Sequence, residues 1–244
     1  MARLARVVVT GLPHHVTQRG NRRERVFLDD GDYAFYRRLL AEEAARCGVE
    51  VWAYCLMPNH VHLVLTPTDC TGLARAVGET HRRYTNFVNT RVGWTGHLFQ
   101  SRFASVVMDE TRLIAAARYV SLNPVRARLV RCAEDWPWSS TRAHLAGRDD
   151  NLVSVAPLLE RIPEFAGLLE PSAADAASFA TIRAAETTGR PLGGAAFVSD
   201  LERRLDRPLA RRKPGPQRKA KAGSGDRIPI PRASIDSSGE WSGG

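Results

Sequence analysis

The chain has 244 residues, 43% of them hydrophobic and 25% charged, which is enough for one domain or two small ones with a real core. Lys and Arg number 35 against 26 Asp and Glu, a net charge of +9 that suits a phosphate-rich partner, because cations displace counterions condensed on nucleic acid. Cys47, Cys55, Cys70 and Cys132 form no C-x-x-C pair, which argues against a zinc knuckle and a disulfide framework, and no apolar stretch reaches the length of a membrane span.

Behind Arg3 and Arg6 the apolar patch Val7–Val9 is too short for a signal peptide, so a cytoplasmic protein is expected. HHVTQRG alternates like a strand and ends in the basic turn GNRRER. Asp29 or Asp30 caps a helix whose Tyr33, Tyr36, Leu40 and Ala44 share one face, and Gly48 stops it. VEVWAYCLM reads as a buried strand, Pro58-Asn59 as a tight turn, and HVHLVLTP as the next strand. A helix from about Thr71 to Arg91 follows, apolar through Leu73, Val77, Tyr84 and Val88. A strand is expected over His97–Met108. A helix capped near Asp109 then runs to Asn123-Pro124.

This β-α-β-β-α-β-α order implies an α+β, ferredoxin-like split βαβ fold: an antiparallel sheet with helices on one face and the other face open to a ligand. Three regions are expected: a domain over 1–130, a small helical C-terminal extension over 131–212, and a disordered basic tail over 213–244, rich in Pro, Gly, Ser and Lys/Arg.

The sharpest chemical feature is His60-Val61-His62. Alternate side chains of a strand share a face, so both imidazoles point the same way and form half of a divalent-metal site. In RYVSLNPVRA, Tyr119 and Asn123 are spaced i, i+4 and share a helix face, provided that Pro124 does not pull Asn123 out of helical geometry. Asn123 offers a carbonyl oxygen to a hard cation, and Tyr119 a phenol that can form a covalent intermediate. Tyr33, Tyr36, Tyr54 and Tyr84 compete for that role on composition alone. Arg19, Arg22, Arg23, Arg82, Arg83 and Arg102 suit a phosphate-rich partner, with Trp94 and Phe99 as candidate stacking platforms. His14, His15, Gln18, His97 and Gln100 are further candidates to line a cleft, with no single role assigned to any of them.

YCLMPNHVHLVLTP, together with HHVTQRGNRRERVF and ARYVSLNPVRARLV, resembles the single-tyrosine HUH transposases, and within them the REP-associated tyrosine transposases. The resemblance runs from about Ala5 to Ala146, and GRPLGGAAFVSDLERRL is similar to the helical extension of many such proteins. It implies that His60 and His62 hold Mg²⁺ or Mn²⁺, that Tyr119 is the nucleophile, and that Arg19, Arg22, Arg23, Arg82, Arg83 and Arg102 are DNA-binding cations. Asn123 stands where relatives of the broader family often place a metal-ligating Gln. It further implies that single-stranded, hairpin-containing DNA is nicked and rejoined through a 5′-phosphotyrosine, by a monomer or a homodimer. The other readings are a domesticated, non-catalytic protein that binds repeat hairpins, and an RNA-binding module on the same scaffold. The second of these expects aromatic residues where His60 and His62 stand.

Overall fold

In the computed structural model, which describes residues 6–209, the first strand is β1 (His14–Arg19). Helix α1 (Asp30–Arg46) follows; the Asp29 carboxylate accepts the Asp32 backbone N–H and caps it. Strands β2 (Val49–Met57) and β3 (His60–Pro67) form a hairpin across Pro58-Asn59. Helix α2 (Gly72–Val92), strand β4 (Ala104–Val107) and helix α3 (Glu110–Arg126) complete the domain, with Asp109 capping α3 by accepting from the Arg112 N–H. The sheet order is β2-β3-β1-β4 with every neighbouring pair antiparallel, the split βαβ arrangement expected from the element order. No helix among the described residues is long and apolar enough to cross a membrane.

Strand period 2 sorts the two faces. Val61, Leu63 and Leu65 of β3 join Leu39 and Leu40 of α1 and Leu73 and Val77 of α2 in one core. Burying each such aliphatic contributes about 1.5–3 kcal/mol. The opposite face, expected to be open, is covered. Ala53, Cys55 and Val64 pack there against Leu113, Ala116, Ala117 and Val120 of α3, and against Phe179 and Ile182 of α7 (Asp175–Thr188). The small side chains of Ala116 and Ala117 let α3 lie close to the sheet, and Phe179 and Ile182 of α7 are buried against the same surface.

Beyond α3 the chain adds short helices: α4 (Thr141–Leu145), α5 (Ala156–Leu159) and α6 (Phe165–Leu168), then α7 and α8 (Ala195–Leu205). Arg118 of α3 fastens α7 with a two-pronged ion pair to Asp175, its Nε 2.6 Å from Oδ1 and its Nη2 2.8 Å from Oδ2. The basic tail expected over 213–244 lies outside the described residues.

Two local expectations change. The strand expected over His97–Met108 is regular only from Ala104. Ser101 takes φ +54°, and the Gln18 side chain occupies the Gln100 and Ser101 carbonyls that a ladder would use. Helix α3 also continues through Pro124 to Arg126, so Asn123 keeps helical geometry. Pro124 lacks the N–H that would donate to the Val120 carbonyl, and it stands in the last turn of the helix.

Candidate active site

His60 and His62 project from β3 onto the α3 face. β1 lies antiparallel beside them with Arg19 opposite His60, Thr17 opposite His62 and His15 opposite Val64. His15 is thus the diagonal neighbour of His62, within reach on the same face. The contact is made: His15 Nε2 lies 3.1 Å from His62 Nδ1. His60 is oriented from its other side, its Nδ1 2.6 Å from Asn59 Oδ1. The His60 and His62 rings meet edge-on, centroids 4.8 Å apart.

Tyr119 enters from α3. Its ring stands perpendicular to His62 at 5.2 Å and to His15 at 5.9 Å, centroid to centroid. The structure therefore brings together the phenol and the histidine pair, which lie more than fifty residues apart in the chain. Tyr119 is only 4% exposed. Phe179 packs on it at 5.3 Å, and the Arg126 guanidinium carbon lies 5.0 Å from its ring centre and 4.6 Å from that of Phe179. A cavity of about 790 Å³ opens beside this cluster, lined by Leu122, Val125, Arg126, Phe179 and Arg183 among others. Asn123, one helical turn beyond Tyr119, is buried with its amide nitrogen unpaired. The competing tyrosines are committed elsewhere: Tyr36 to His81, Tyr54 to Asp150, Tyr84 to the Val26 carbonyl, and Tyr33 stacked on Trp138.

Two participants were not singled out by the sequence. One is His15. The other is Glu186 of α7, whose Oε1 lies 3.8 Å from His15 Nδ1. Among the described residues, His15, His62 and Glu186 are the group of ionisable side chains whose ligand atoms converge, all within 4.8 Å of one another. The first signal of such a role was the doubled histidine in HHVTQ. Nothing local marks Glu186.

Electrostatics keep the imidazoles neutral at neutral pH. Burial lowers His15 to about 4, and burial with the Arg19 charge lowers His60 to about 4. His62 is held well below its usual value by burial, then by His60 and His15. Neutral rings offer lone pairs, the form that a metal needs. Burial pushes Glu186 up to about 7, with Arg19 and Arg183 opposing. The Tyr119 phenol is raised by burial and then by the Glu186 charge, while Arg126 and Arg183 draw it back.

The candidate cations divide into two groups. Arg19 lies at the His60 end of the site. Arg22 and Arg23 follow in a turn pinned there by the Asn59 side chain, which donates to the Arg23 carbonyl. Both take left-handed backbone angles, φ +52° and +65°. Arg82 and Arg83 stand on α2, across the sheet from Tyr119. Arg82 pairs with Glu79, and Arg83 with Glu42 and Glu43. Arg82 and Arg102 line a separate cavity of about 460 Å³ there with Phe99 and His97. Trp94 is exposed, whereas Phe99 is buried against His81.

Comparison with known proteins bears on this arrangement. Residues 8–123 match the family model described as IS200-like transposase. The matched segment is similar to IS200-like transposases and spans 116 of the 244 residues. The matched segment runs from just before β1 to Asn123, so it contains both histidines and Tyr119. A solved REP-associated tyrosine transposase bound to a REP hairpin is similar to the chain, with a TM-score of 0.53 at 20% identity over 63% of this chain and 92% of that one. At that identity the likeness establishes the fold. A chain from Deinococcus radiodurans R1, described as a candidate transposase, is 24% identical over 49% of this chain and 95% of its own, with a TM-score of 0.35. A search of curated proteins returns no match. Glu186 lies beyond the matched segment.

Proposed function

We propose that this protein is a transposase that nicks and rejoins single-stranded, hairpin-containing DNA through a covalent 5′-phosphotyrosine on Tyr119, with Mg²⁺ or Mn²⁺ held by His60 and His62 and by the Asn123 side-chain oxygen. The observation that carries it is the Tyr119 ring set 5.2 Å from His62 on a face where His62 Nε2 is buried and has no partner. An unpaired buried nitrogen costs about 1–3 kcal/mol, and a cation removes that penalty. The residues present therefore fit a metal: neutral imidazoles, one orphaned nitrogen, and a side-chain amide one turn from the phenol. A divalent cation bound there would polarise the scissile phosphate and neutralise charge on the leaving oxygen.

The protein's own side chains do the rest. Arg126 lowers the cost of charge on the Tyr119 oxygen and covers its ring until a phosphate takes the guanidinium. The phenol oxygen attacks phosphorus in line, the bond to the 3′ oxygen breaks, and the proton lost by the phenol is balanced by the one gained at the freed 3′-OH. A second 3′-OH attacking the phosphotyrosine reverses the step and regenerates Tyr119. Since one phosphodiester replaces another, no outside energy source is needed. Arg19, Arg22 and Arg23 hold the strand near His60. Arg82, Arg83 and Arg102 would contact a more distant part of the hairpin.

Wild-type protein mixed with hairpin DNA and Mn²⁺ should give a covalent adduct that survives denaturing electrophoresis. Tyr119→Phe should give none. The burial of Tyr119 beneath Phe179 and Arg126 favours a second reading, a hairpin-binding protein that does not cut. It gains if wild type binds hairpins from its host's own repeats and forms no adduct with any.

A further inference from the structure

The hydrogen-bonding capacity of each ring nitrogen around His62 can be assigned, and the assignment reaches into α7. His15 Nε2 faces His62 Nδ1 at 3.1 Å, with ring centroids 5.2 Å apart and ring planes only 9° apart. The rings thus meet edge to edge, nitrogen pointing at nitrogen. A cation between two such lone pairs would need them about 4 Å apart, since metal–imidazole bonds are about 2.0–2.1 Å. This contact is therefore a hydrogen bond, and the nitrogen that His62 has left is Nε2, buried and unpaired.

A neutral imidazole carries one N–H. For Nε2 to present a lone pair, the His62 proton must sit on Nδ1 and be donated to His15 Nε2. His15 must then carry its own proton on Nδ1. That nitrogen points at Glu186 Oε1, 3.8 Å away, and this carboxylate oxygen is itself buried without a hydrogen-bond partner. A sub-ångström shift of α7 closes the gap. We propose that Glu186 and His15 are positioning residues, a carboxylate–histidine relay that locks His62 in the tautomer whose Nε2 can bind the cation. The inference rests on the metal reading above, and it gives the C-terminal extension a part in building the site. The anchor for that part is the Arg118–Asp175 ion pair at the start of the helix that carries Glu186. Outer partners of this kind set the orientation and basicity of metal-bound histidines, and losing one lowers metal affinity by about 10–100-fold.

The test uses the full chain and two readouts. Mn²⁺ affinity is measured by electron paramagnetic resonance, and the imidazole tautomers of the metal-free protein are read by ¹⁵N NMR. Wild type should show Nδ1–H tautomers at His15 and His62. Glu186→Ala should lose about 10–100-fold in Mn²⁺ affinity and scramble the His15 tautomer. Glu186→Gln keeps an oxygen for the same N–H and should retain most of the affinity. Unchanged affinity in Glu186→Ala, or a His62 proton on Nε2 in wild type, overturns the relay. Equal losses in the Gln and Ala variants would make Glu186 a direct ligand and overturn it too. If wild type binds no Mn²⁺, the metal reading fails, and the tautomer spectrum alone then decides the relay.

Discussion

Replacing Arg126 with Ala tests the chemistry at its most sensitive atom. An ordinary phenol with a pKa near 10 is ionised about one part in a thousand at neutral pH. Here burial and the Glu186 charge make ionisation harder still, and Arg126 is the group that opposes them most strongly. Its guanidinium carbon stands 5.0 Å from the Tyr119 ring centre. A hydrogen bond to a charged partner is worth about 1.5–3 kcal/mol. Arg126→Ala should therefore slow phosphotyrosine formation by about 10- to 150-fold at a fixed pH. The assay is single-turnover adduct formation with saturating hairpin DNA and Mn²⁺, across about pH 6 to 9. Because the phenol is raised and reacts deprotonated, both rates should climb with pH without a plateau in that range, the variant below wild type throughout. If Arg126 only grips DNA, the deficit disappears once DNA saturates. Equal saturated rates at every pH would refute the argument.

Other perturbations probe the remaining parts. His60→Ala and His62→Ala should each abolish adduct formation while hairpin binding, measured by fluorescence anisotropy, stays within a few-fold of wild type; parallel loss of both activities would make the histidines structural. Arg118→Ala should release α7, with hydrogen exchange over 175–188 accelerating about 10- to 100-fold, as expected for a charged bond worth roughly 1.5–3 kcal/mol. Arg118 holds the Asp175 carboxyl below its usual range, so in wild type the pair acts in full above the ordinary carboxylate pKa and fails as pH falls through the depressed value. Acid should therefore loosen α7 in wild type and make no further difference in Arg118→Ala. Hairpin affinity should fall steeply with salt, by about 0.7 in the log–log slope for each phosphate neutralised on a single strand. Arg19→Ala should flatten that slope, and a flat wild-type response would remove the basic surface from the account.

The sequence determined what depends on local periodicity. Alternation along HVHLVLTP put His60 and His62 on one face and Val61, Leu63 and Leu65 on the other, because a strand has no other way to direct its side chains. Helical spacing placed Tyr119 and Asn123 on one stripe, and capping aspartates marked where α1 and α3 begin. The order of elements was enough to give the split βαβ sheet. Spacing could not show that the face behind His60 is covered, since α7 binds there through Phe179 and Ile182, two apolar residues with no distinctive local pattern. Strand register decided which β1 side chain meets His62: pairing Val16 with Leu63 sets His15 diagonally beside it, and a slip of one residue would have turned His15 to the other face. Tertiary packing likewise divided the arginines, leaving Arg19 beside His60 and committing Arg83 to Glu42 and Glu43 across the sheet. Glu186 became part of the site only when a helix far along the chain docked against α3, a long-range contact that no window of neighbouring residues can encode.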